Sequence, residues 1–128
     1  MKVLDTTFLI DILNGEERTL KIAKSSEELL TTQVNMYEII RGIFLTDNPE
    51  KGLLSAKDML ENLKILPLDD SGIIKSAEIF AELAKSGKMI SDTDCLIAGI
   101  ALSNGINRIV TKNEAHFKRI KGIIVENY

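Results

Sequence analysis

The chain has 128 residues, enough for one domain with a full core, and its composition of 45% apolar and 27% charged residues excludes a disordered or fibrous protein. A formal charge of −3 excludes the strongly basic surface of a protein that grips nucleic acid all over, although 16 Lys and Arg residues can still cluster on one face. The single cysteine, Cys95, and single histidine, His116, exclude an internal disulfide and a zinc centre of the thiolate or multi-imidazole kind.

The first element is KVLD at 2–5, a short apolar strand that ends on an acid; Thr6 and Thr7 then form a turn, and Phe8, Leu9 and Ile10 begin a helix. Acids at 5 and 11 leave no secretory leader, and no window reaches the ~20 apolar residues that cross a bilayer, the nearest being CLIAGIAL at 95–102. A cytoplasmic protein without membrane contact is expected. LLTT at 29–32 is the second strand, followed by a helix whose apolar stripe is Val34, Tyr37, Ile40, Ile43 and Phe44. Pro49 breaks the chain in TDNPEKG and leaves SAKDMLENLK at 55–64 as a further helix. ILPL at 65–68 is the third strand. DDSG then turns into a helix with Ile73, Ala77, Phe80, Ala81 and Ala84 on its apolar face, stopped at Gly87. Leu96, Ile97, Ile100 and Ala101 mark another helix, stopped at Gly105, before strands RIVT at 108–111 and GIIVE at 122–126. The alternation predicts a single three-layer α/β/α domain over residues 1–128 with a central parallel sheet of about five strands. Ligands of such sheets bind at the carboxyl ends of the strands, here just after residues 4, 32, 68 and 110.

Three acids fall at that edge. Asp5 ends the first strand, Glu38 lies one turn into the helix after the second, and Asp94 starts the helix that leads to the fourth. Two ionised carboxylates about 4 Å apart repel by roughly 4 kcal/mol at an effective dielectric near 20, so such a cluster needs protons or a cation. Oxygen donors without thiolates or paired imidazoles point to Mg²⁺ or Mn²⁺. The competing explanation is helix capping: Asn35 to Glu38 and Ser91 to Asp94 both have capping-box spacing, and Asp69 in DDSG reads as an ordinary N-cap.

VLDTTFLID, YEIIRG at 37–42, DCLIAGIAL at 94–102 and IVTKNEAHF at 109–117 together resemble the four successive motifs of PIN-domain ribonucleases, especially the VapC toxins of toxin-antitoxin pairs. The resemblance implies a homodimer with a parallel sheet, an RNA substrate, a small antitoxin partner, and catalytic Mg²⁺ or Mn²⁺ held by Asp5, Glu38 and Asp94. In the last motif many relatives have Asp before the Phe, where this chain has His116; Asn113 fits the motif's polar position. Thr6, Asp92, Thr111, Asn113 and His116 are accessory candidates, and Arg41 and Lys112 are candidates for RNA phosphates, with Lys88, Arg108, Lys118, Arg119 and Lys121 around the rim. Cys95 reads as a small buried hydrophobe. Two other functions fit parts of the sequence: a receiver-like signalling domain phosphorylated on Asp69, and a PIN-like module that binds without cutting.

Overall fold

Val3 and Leu4 have no exposed surface, nor have Ile109 and Val110 beside them, which is the burial expected of parallel strands covered on both faces. The structure is a computed structural model that describes residues 1–128. Strands β1 (Lys2–Leu4), β2 (Leu29–Thr32), β3 (Lys64–Leu66), β4 (Arg108–Val110) and β5 (Ile124–Glu126) form one parallel sheet in the order β3-β2-β1-β4-β5. Val3 pairs with Ile109 and Leu4 with Val110. Successive strand residues point to opposite faces, so Val3 and Ile109 enter one core while Leu4 and Val110 enter the other.

The helices are α1 (Thr6–Leu13), α2 (Leu20–Ala23), α3 (Gln33–Phe44), α4 (Pro49–Glu61), α5 (Asp70–Lys85), α6 (Asp92–Ser103) and α7 (Glu114–Phe117). On one face of the sheet Ile79 and Leu83 of α5 pack with Ile97, Ile100 and Ala101 of α6 and with Phe117. On the other, Phe8 and Leu9 of α1 pack with Ile39 of α3 and Ala56 of α4. Each fully buried Leu, Ile or Phe contributes about 1.5–3 kcal/mol relative to exposure, so two full cores hold the sheet between its helical layers. No helix is long and apolar enough to cross a membrane.

Several predicted boundaries shift. The first helix takes in Thr6 and Thr7. The break at Pro49 does separate two helices, but the second begins at Pro49 itself, where a first-turn residue needs no amide hydrogen, and ends at Glu61 rather than 64. The third strand begins at Lys64 and stops before Pro67. The stops are as expected: α5 and α6 end just before Gly87 and Gly105, whose φ of +68° and +74° suit glycine. The predicted apolar stripe of α5 is the outward one. Ile73 and Phe80 are exposed, and the helix buries Gly72, Ser76, Ile79 and Leu83 instead. Arg108 is likewise misplaced by the sequence as a rim cation: it opens β4 and binds Glu27 at 3.0 Å and Glu126 at 3.1 Å, beside Lys2 at the start of β1 and away from Asp5.

Candidate active site

β1 lies between β2 and β4, so the order of strands reverses there, and the crevice outside the carboxyl ends of β1 and β4 is the expected binding edge. Asp5 is the first residue past β1. It occupies the N-cap position of α1 yet makes no side-chain capping bond, so capping does not explain it. Its Oδ2 accepts the Thr111 hydroxyl at 2.6 Å and its Oδ1 accepts the Asn35 amide at 3.2 Å, which joins the ends of β1, β2 and β4 through one carboxylate. The residue is only 3% exposed. Burial pushes its carboxyl from the ordinary 3.8 up to about 6; the Thr111 hydroxyl opposes the rise, and the charges of Asp94 and Glu38 add to it. Three acids from three elements therefore share one electrostatic field.

Asn35 is the hub that the sequence did not reveal as such. The helix α3 is capped by Thr32, not Asn35: the Thr32 hydroxyl accepts the Asn35 N–H at 3.2 Å, and Asn35 Oδ1 accepts the Thr32 N–H at 3.3 Å. That leaves the amide nitrogen of Asn35 to donate to Asp5 and to Thr6 Oγ1, the latter at 3.0 Å. Glu38, freed of any capping role, accepts the Thr6 hydroxyl at 2.7 Å and pairs at 3.9 Å with Arg41, which also lies over the Tyr37 ring at 5.2 Å. An Asn35→Asp variant keeps the acceptor for Thr32 but turns the donor facing Asp5 into a repelling oxygen. It is expected to lose about 2 kcal/mol of stability at neutral pH, measured by urea unfolding.

Asp94 sits in the first turn of α6. Ser91 caps that helix by accepting the Asp94 N–H at 3.2 Å, while the Asp94 carboxylate turns away from Ser91. Its Oδ2 meets Asn113 Nδ2 at 3.4 Å and His116 Nδ1 at 3.1 Å, and those two nitrogens are themselves 3.1 Å apart. Thr111 ties this group to Asp5 by accepting the Asn113 N–H at 2.9 Å. So Thr6, Thr111, Asn113 and His116 all touch the acids. Asp92 does not: it is exposed at the start of α6 and lines a shallow groove with Phe80 and Cys95. Cys95 is buried.

Lys112 is drawn into a second cluster. Its Nζ pairs with Asp11 at 2.8 Å and lies over the ring of Tyr128 at 5.3 Å, while the Tyr128 hydroxyl donates to the same Asp11 oxygen. Tyr128 also packs edge-on against Phe8. No local pattern marks a terminal tyrosine as part of this contact; the three-residue spacing of Thr32 and Asn35 after a strand could have identified Asn35. Lys88, Arg119 and Lys121 line one small hollow with Ile79, and Lys118 pairs with Glu114 at 3.5 Å. Asp69 is the N-cap of α5, accepting the Gly72 N–H at 2.9 Å beyond edge strand β3, and so stands two strands from Asp5. That is a cap and no phosphoryl acceptor beside an acidic pocket.

No three acidic, imidazole or thiol side chains are close enough to form a ready-made metal cage. Asp5, Glu38 and Asp94 are nevertheless the groups suited to a divalent cation, since their donors are carboxylate oxygens and their charges already act on one another.

Comparison with known proteins places the fold. The family model for the PIN domain matches residues 2–123. The tRNA(fMet)-specific endonuclease VapC of Salmonella typhimurium is 30% identical over 98% of this chain and 96% of its own length. Ribonuclease VapC2 of Haemophilus influenzae is 28% identical over 98% of this chain and 96% of its own. Among solved structures, DNA-bound VapBC from Salmonella typhimurium superposes with a TM-score of 0.87 at 31% identity, covering 98% of this chain and 96% of that one. VapBC2 of Rickettsia felis, bound to a promoter DNA fragment, has a TM-score of 0.89 at 23% identity, over 99% and 98% of the two chains.

Proposed function

This chain belongs to the PIN domain family, and on that premise we propose that it is a Mg²⁺- or Mn²⁺-dependent endoribonuclease, the toxin of a toxin-antitoxin pair. The observation that carries the proposal is Asp5: a buried carboxylate, outside any capping role, fixed by donors from β2 and β4 sides and loaded by the charges of two further acids. A buried acid raised by two neighbouring acids costs stability, and a protein keeps such a cost where the charges have work to do.

Asp5, Glu38 and Asp94 would hold a divalent cation, which when bound would supply Lewis-acid polarisation of the phosphoryl oxygen and a more acidic water. The chain's own residues do the rest. Thr111 and Asn35 fix the two oxygens of Asp5, so that carboxylate cannot rotate away. Thr6 fixes Glu38. Asp5 or Asp94 would assist deprotonation of the attacking water. Arg41, half exposed above Glu38, is positioned to meet a phosphate at the rim. Lys112 reaches RNA only after leaving Asp11.

The antitoxin is expected to be a small protein that covers the site, and the surface offers it apolar ground. A groove of about 470 Å³ between α3 and α4 is lined by Met36, Ile40, Leu53 and Leu60, with Tyr37, Phe44 and Leu54 exposed nearby. The whole of residues 1–128 acts as one catalytic domain in the cytoplasm, working as a homodimer. Stripping divalent ions with EDTA is expected to stop cleavage of a tRNA-rich RNA pool, and excess Mg²⁺ or Mn²⁺ to restore it. Cleavage that continues unchanged in EDTA contradicts a metal-dependent reaction.

A further inference from the structure

His116 stands where the resemblance leads one to expect an acid, and Asn113 and Asp94 both face its Nδ1. The amide nitrogen of Asn113 lies 3.4 Å from the Asp94 carboxylate and 3.1 Å from His116 Nδ1. In the tautomer with the ring proton on Nε2, the two hydrogens of that amide have two acceptors, the Asp94 carboxylate and the Nδ1 lone pair. In that tautomer Asp94 Oδ2 and His116 Nδ1 face each other as two acceptors 3.1 Å apart. Two ligand atoms each about 2.1 Å from one octahedral ion and at right angles stand about 3.0 Å apart. The pair already has the spacing of one edge of such an octahedron.

We infer that His116 Nδ1 and Asp94 Oδ2 bind the same divalent cation, so that this site carries one nitrogen ligand and discriminates towards transition metals over Mg²⁺. The inference rests on the assignment of Asp94 to the cation site and adds to it a ligand type and a selectivity. Carboxylates and waters suit Mg²⁺, whereas imidazole favours the later first-row ions, in the order Mn²⁺, Co²⁺, Ni²⁺. Asn113 is the positioning residue: its amide holds both acceptors in place and sets the tautomer. The alternative role for His116, a donor that merely orients Asp94 through a protonated Nδ1, would leave two donor nitrogens, Asn113 Nδ2 and His116 Nδ1, facing each other at 3.1 Å.

His116 is the only histidine in the chain, which makes the test direct. Tag-free protein is loaded with Mn²⁺ and its electron spin echo modulation recorded. Strong ¹⁴N modulation from a directly bound imidazole is expected in the wild type and absent in His116→Asp. Calorimetric titration with Co²⁺ and Mg²⁺ is expected to show a Co²⁺/Mg²⁺ affinity ratio about tenfold or more lower in His116→Asp than in the wild type. Bound Mn²⁺ without ¹⁴N modulation, or an unchanged affinity ratio, overturns the inference while leaving the carboxylate site standing. Failure of Mn²⁺ to bind the wild type at all sinks the carboxylate site and the inference together.

Discussion

Asp5→Asn is expected to abolish divalent-ion-dependent RNA cleavage, by about a thousandfold or more, and at the same time to make the protein more stable at neutral pH. The first effect follows from removing the charge at the centre of the site, worth roughly 4 kcal/mol of transition-state stabilisation at that fold-change. The second follows from burial. The Asp5 carboxyl is raised from 3.8 to about 6, so the folded protein holds its proton more tightly than the unfolded chain does. Well below pH 3.8 the residue is protonated in both states and carries no penalty. As pH rises from 3.8 towards 6 the unfolded chain ionises while the folded protein keeps its proton, so the penalty grows at roughly 1.4 kcal/mol per unit of pH and levels off near about 3 kcal/mol above 6. Asparagine avoids it while still accepting the Asn35 N–H, and the Thr111 hydroxyl is free to turn. The variant's advantage should therefore be small at pH 4 and about 2 kcal/mol at pH 7.5, read from urea midpoints. Saturating Mg²⁺ should narrow the gap by stabilising only the wild type. A variant that is less stable at pH 7.5 than at pH 4, relative to wild type, would show that the carboxylate is a structural anchor.

Gly99→Ala is expected to be the most damaging single substitution outside the acids. A Cβ at Gly99 on α6 would lie 2.0 Å from Ser76 Oγ, 2.7 Å from Ser76 N and 2.8 Å from Ser76 Cα on α5. The two helices touch backbone to backbone there, and Ser76 is itself tied to the Gly72 carbonyl at 2.7 Å. Overpacking costs typically about 1–3 kcal/mol when side chains can move aside, and here a main chain must move, so about 3 kcal/mol or more is expected from thermal unfolding. Because α6 carries Asp94 in its first turn, cleavage should also fall at least in proportion to the fraction of protein that unfolds. Adding Ser76→Gly removes the hydroxyl clash but neither backbone clash, so the double variant should recover only part of the loss. Full recovery would mean that the hydroxyl alone sets the helix spacing.

The acids were legible in the sequence because parallel strands are short and end on turns: an acid straight after an apolar run, as in VLDTT, is already at the binding edge once strands are parallel. Their capping alternatives were not decidable from spacing. Asn35 to Glu38 and Thr32 to Asn35 are both three residues apart, and only the backbone shows that α3 starts at Gln33 and is closed by Thr32. The strand order was illegible for a different reason. Nothing local tells β3 that it lies at an edge or β4 that it lies beside β1, since that is decided by which helices cover which face. The same limit explains the inverted α5: Ile73, Ala77 and Phe80 form the better apolar stripe, but Gly72 and Ser76 allow α6 the closer approach, and close approach decided the face. Arg108 and Lys112, which their positions alone point towards RNA phosphates, are both paired with acids distant in sequence.

The most direct measurement is a crystal of the wild-type protein soaked in Mn²⁺, with anomalous difference density calculated at the manganese edge. A peak bounded by Asp5, Glu38 and Asp94 is the expected result, with the Asn35 and Thr111 bonds to Asp5 intact. No peak there at saturating Mn²⁺, in a protein that still cleaves RNA, would contradict the assignment of these three acids as the metal-binding centre.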